Sequence, residues 1–101
     1  MPNRRYESGR RMEWQRRKVW ESLGCVVVRA AGSHSCWDLV SIHPALPVYL
    51  IQCKIVQTEV QANRMLRAFE KNPPMPKSES YVMVLEVQVI RKGVYSISVC
   101  A

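Results

Sequence analysis

Asp38 and, fourteen residues later, Gln52-Cys53-Lys54 are the side chains in this sequence whose types and spacing best suit chemistry. Trp37-Asp38-Leu39-Val40-Ser41-Ile42 and Val48-Tyr49-Leu50-Ile51-Gln52-Cys53-Lys54-Ile55 are both rich in β formers. Between them His43-Pro44-Ala45-Leu46-Pro47 carries two prolines, which cannot continue a ladder. The stretch predicts a hairpin centred near Ala45. Ile42 then faces Val48, Val40 faces Leu50, and Asp38 faces Gln52. Opposed side chains in such a pair lie roughly 4.5–5.5 Å apart at Cβ. Side chains alternate along a strand, so Gln52 and Lys54 share one face and Cys53 points to the other. A carboxylate, an amide and a lysine at the end of an apolar hairpin have no use in a core. They suit a hard cation and a phosphodiester. A plain cross-strand ion pair between Asp38 and Lys54 is the structural alternative.

The elements that must position these residues follow from periodicity. Ser8 to Leu23 reads as a helix with an apolar stripe of Met12, Val19, Trp20 and Leu23, ended by Gly24, with Ser8 or Asn3 as its cap. Glu13, two turns before Trp20, lies on the same face and either faces the sheet or pairs with Arg17. Cys25 to Ala31 reads as a central strand, and Gly32-Ser33-His34-Ser35 as a turn. Thr58 and Gln61 form a capping box that opens a helix to about Lys71, with Ala62, Met65, Leu66 and Phe69 inward. Asn72 to Lys77 is loop, Tyr81–Val89 a strand, Arg91-Lys92-Gly93 a turn and Val94–Val99 the last strand. The order is α-β-β-β-α-β-β, an α/β chain expected to be a single domain over 1–101 with a basic N-terminal arm at about 1–7.

Composition bounds the partners. The chain has 101 residues, is 48% hydrophobic and carries a net charge of +7. Seven of its fifteen Lys and Arg residues (Arg4, Arg5, Arg10, Arg11, Arg16, Arg17 and Lys18) fall in the first eighteen positions. A basic block of this kind in a small domain predicts a polyanionic partner, above all nucleic acid. Cys25, Cys53 and Cys100 lie in apolar strand-like sequence and read as core residues, and Cys36 as a loop residue. None has zinc spacing to another cysteine or to a histidine. With no apolar run long enough to span a membrane, the expected setting is a reducing cytoplasm.

The order of elements and the pattern Glu13 … Gly32-Ser33 … Asp38 … Gln52-Cys53-Lys54 resemble the PD-(D/E)xK nuclease superfamily. Within it, the chain is most similar to the archaeal-type Holliday junction resolvases, including small phage-encoded ones. Gly9 and Glu13 match a glycine and glutamate near the start of the first helix. Gly24, Arg29 and Ser33 match the helix end, the strand arginine and the turn serine. Asp38-Leu39-Val40 matches the metal-binding aspartate and its strand, and Gln52-Cys53-Lys54 the acidic-x-lysine. The likeness spans roughly residues 4 to 70. Gln52 stands where most members carry glutamate, which retains an oxygen ligand but removes a charge.

The resemblance implies a restriction-endonuclease-like core with a mixed central sheet flanked by helices. It implies a Mg²⁺ ion, with Mn²⁺ able to substitute, held by Asp38, the Gln52 side-chain oxygen, the Cys53 carbonyl and Glu13. Lys54 would orient water or stabilise charge on the phosphate, and Ser33 would bond the phosphate. Arg4, Arg5, Arg10, Arg11, Arg17, Arg29 and His34 would contact DNA. The implied activity is resolution of four-way junctions by paired nicks, and the two-fold substrate implies a homodimer. The C-terminal strands and the second helix are candidates for its interface. Other nucleases of the superfamily, a non-cleaving junction binder and a basic RNA-binding module are the alternatives.

Overall fold

The computed structural model describes residues 4–30 and 36–101, and of residues 4–8 the backbone alone. The elements run α1 (Arg4–Ser22), β1 (Val26–Arg29), β2 (Leu39–His43), β3 (Leu46–Val56), α2 (Glu59–Lys71), β4 (Tyr81–Val89) and β5 (Gly93–Val99). This is an α/β fold in the predicted element order. The strands form one mixed sheet in the order β1-β2-β3-β4-β5. β3 and β4 are parallel, joined by α2, and every other neighbouring pair is antiparallel.

The two helices lie on opposite faces. On one face α1 covers a core of Cys25, Val27, Leu39, Ile51 and Val84, with Trp20 and Tyr49 packed against it. On the other, α2 covers Met83, Leu85, Val87, Val89 and Val99 with Ala62 and Phe69. β4 is the most deeply buried strand because both helix-covered cores draw on it.

The local signals at the helix ends act as read. Gly24 ends α1 with φ +90°, a conformation glycine adopts without steric cost. Its N–H reaches Glu21 O at 3.0 Å, and the next N–H, of Cys25, reaches Trp20 O at 3.4 Å. At α2, Thr58 Oγ1 accepts from the Gln61 N–H at 3.2 Å, and Gln61 Oε1 accepts from the Thr58 N–H at 3.1 Å.

The hairpin register also holds within the ladder. Val40 pairs with Leu50, Leu39 with Ile51 and Ser41 with Tyr49. A bulge between Ser41 and His43 shifts the pairing to His43 with Leu46, so Pro47 falls inside β3 rather than in the loop.

Several expectations are corrected. β1 is an edge strand, not a central one: Val26 and Val28 are 66% and 49% exposed on the α2 side of the sheet, at the end that α2 does not reach. An apolar run has the same composition at an edge as at a centre, and only its partners distinguish the two. The inward face of α1 runs through Met12, Arg16 and Trp20, leaving Val19 and Leu23 exposed. Met65 on α2 and Cys100 after β5 are exposed as well. The helix begins at Arg4, so much of the expected arm is helical. Gly32, Ser33 and His34 lie outside the described residues. Among the described residues no helix is long and apolar enough to cross a membrane.

Candidate functional site

Three elements meet at the end of the sheet where β2 begins. Trp37 is buried against Phe69 of α2, with ring centroids 6.3 Å apart, and anchors the chain one residue before Asp38. Asp38 then sits on a bend just outside the ladder. Its N–H donates to Ile51 O at 2.8 Å, and its carbonyl accepts from the Ala30 N–H at 2.9 Å. Its carboxylate accepts the Cys53 N–H at Oδ2, 2.7 Å away. This backbone donor belongs to the centre of the predicted motif and holds the carboxylate in one orientation.

Glu13 arrives from α1. Its Oε2 accepts from Arg29 Nε at 3.1 Å, and the Asp38 carboxylate lies near enough to act on its charge. The pKa of Glu13 is raised, first by burial and then by the negative charge of Asp38, against the opposing pull of the Arg29 guanidinium. Two carboxyl groups this close can share a proton, or they can share a cation. Among the described residues no three His, Cys, Asp or Glu side chains converge to hold a metal. The carboxyl pair, two sets of hard oxygen donors with one guanidinium beside them, fits a Mg²⁺ ion that keeps several waters.

The remaining predicted residues divide. Lys54 lines a cleft of about 650 Å³ together with Glu13, Cys53 and Gln61. Neither Asp38 nor Gln52 is among the residues lining that cleft. Gln52 pairs with Leu85, whose side chain lies in the core under α2, so Gln52 faces that side of the sheet with Lys54 as alternation requires. Asp38 departs from the expected shared face because the bend turns its carboxylate toward α1. Arg29, expected on DNA, is paired with Glu13, and Arg17 is paired with Glu21 at 3.0 Å rather than with Glu13. Arg10 and Arg11 are exposed on α1, and nothing is described of the Arg4 and Arg5 side chains.

The Cys53 thiol is pushed far up by burial, then by the charges of Glu86, Asp38 and Glu13, so it stays protonated. A protonated thiol serves neither as metal ligand nor as nucleophile.

Sequence reading missed one interaction that builds this site. Glu86, 2% exposed in β4, accepts two hydrogen bonds from Arg16, at 2.9 and 2.7 Å, and one from Trp20 Nε1 at 3.3 Å. This ties α1 to the sheet one turn after Glu13. The signal was a single carboxylate inside the apolar run Met83-Val84-Leu85-Glu86-Val87, a position that demands a buried partner.

No protein-family model matches this chain, and no curated protein matches it.

Proposed function

We propose that this protein is a Mg²⁺-dependent DNA endonuclease of the PD-(D/E)xK type that acts on four-way junctions as a homodimer. The observation that carries the reading is Asp38, its carboxylate held by the Cys53 N–H, beside Glu13, which lines a cleft together with Lys54. A Mg²⁺ ion bound there would lower the pKa of its water and act as a Lewis acid on the phosphate. Asp38 and Glu13 would hold the ion, and Lys54 would supply positive charge beside the phosphate. Arg29 keeps Glu13 turned toward Asp38, and the arginines of α1 supply sequence-independent attraction for the phosphate backbone.

The position of Gln52 favours a second reading, a junction-binding protein that does not cleave. Gln52 is an amide where the resemblance expects a carboxylate, and it pairs with Leu85 on the α2 side of the sheet, so Glu13 and Asp38 are the two acidic residues of the site.

The test is cleavage of a labelled synthetic four-way junction and a linear duplex, in Mg²⁺ or EDTA, with Asp38→Ala and Lys54→Ala beside the wild type. The expected result is paired nicks on the junction alone, lost with EDTA and in both variants, while junction binding persists. Cleavage of both substrates alike moves the assignment to another nuclease of the type. Tight junction binding without cleavage selects the second reading, and full activity of either variant overturns the site.

A further inference from the structure

Trp14 is 56% exposed on α1, and neither core cluster includes it. Its helical neighbours at i−4, i−3, i+3 and i+4 are Arg10, Arg11, Arg17 and Lys18. Lys18 Nζ lies over the indole ring, 3.9 Å from its centroid. Trp14 lines a second cleft, of about 540 Å³, together with Arg10, Arg11, Arg17, Arg29 and Glu13. The one carboxylate in that cleft is already paired with Arg29. Glu13 lines both clefts, so the surface around Trp14 runs on to the cleft that Lys54 lines.

We infer that Trp14 is a stacking platform for an unpaired nucleotide of DNA, with the flanking cations of α1 on its phosphates. A large exposed aromatic costs solvation and contributes nothing to this core. Arg17 is paired with Glu21 and Arg29 with Glu13, yet cations outnumber carboxylates around this indole, and a surface of that sign attracts a polyanion. A ring face within a basic groove is the combination that holds single-stranded nucleic acid without reading its sequence, because every base presents a π face. The inference deepens the proposed function and rests on its DNA-binding half. It adds what that reading lacks, a group able to tell a strand with unpaired bases from a continuous duplex.

The test is binding of the full chain to a short oligothymidylate and to a blunt duplex of equal length, in EDTA, followed by anisotropy and by tryptophan emission. Trp37 is buried and Trp20 is half-buried, so a quench on stacking reports Trp14. Wild type should be quenched by the oligothymidylate. Trp14→Ala should lose the quench and about tenfold or more in affinity for the single strand, with a much smaller loss on the duplex. Trp14→Phe should retain most of the affinity, which separates stacking from a folding defect. Unchanged single-strand affinity in Trp14→Ala, a quench that survives in it, or tighter binding of an oligouridylate than of the oligothymidylate would overturn the inference. Because EDTA removes cleavage, the two proposals fail separately. A wild type that cuts nothing in Mg²⁺ yet binds through Trp14 loses only the nuclease reading, and an active nuclease whose binding ignores Trp14 loses only this one.

Discussion

Glu13 and Asp38 bring two carboxyl groups near one another at the end of the sheet, and the behaviour of Glu13 with pH follows from its surroundings. Burial and the Asp38 charge raise the Glu13 pKa above its unfolded value. The folded state therefore binds a proton more tightly than the unfolded chain. Its stability falls as pH rises from the ordinary carboxyl range through the raised folded value, and is level above that. A divalent cation bound by the charged pair removes the same penalty. Glu13→Gln, which keeps an acceptor for Arg29, should raise the melting temperature at neutral pH and flatten the decline. It should also shrink the rise that Mg²⁺ produces in the wild type. Melting curves across pH, with and without Mg²⁺, check this, and an unaltered pH slope in the variant would sink it. Asp38 and Lys54 were legible as candidates because polar side chains at fixed spacing on strand patterns stand out, and Glu13 became one through the resemblance. The Arg29–Glu13 pairing was not, since a strand arginine in a basic chain reads equally well as a DNA contact.

At the scale of elements, α1 is held by polar contacts as much as by burial. Its inner face presents Met12, Arg16 and Trp20, and the Arg16–Glu86 pair has side-chain exposures of only 21% and 3%. Removing one partner of such a pair leaves a buried charge without compensation. Arg16→Met should cost about 3–5 kcal/mol in denaturant unfolding, and adding Glu86→Leu should recover most of that loss. A double variant no more stable than the single one would show that the helix depends on the charges themselves. The capping box of α2 and the glycine stop of α1 were readable because each is a contact among residues a few positions apart. The edge position of β1 was not, because its apolar composition is indifferent to whether one neighbour or two lie beside it.

For the whole molecule, the arrangement leaves part of the sheet bare. α1 and α2 cover opposite faces at opposite ends, so Val26 and Val28 of β1 and Ile42 of β2 remain about half or more exposed. The proposed two-fold substrate calls for two active sites, and the expected species in sedimentation is accordingly the dimer. A monomer at every concentration, and still a monomer on a junction, would argue against symmetric paired nicking.

The sequence by itself determined the element order, the hairpin register between Leu39 and Ile51 and both helix stops. These are consequences of periodicity, turn chemistry and contacts among near neighbours. Only the tertiary structure decided that Asp38 turns toward α1, that Gln52 faces α2 and that Glu86 meets Arg16 across |i−j| = 70. It also decided that Val19 and Leu23 stay outside the core while Arg16 enters it. Such choices depend on how two helices divide the faces of one sheet, and no local pattern carries that division.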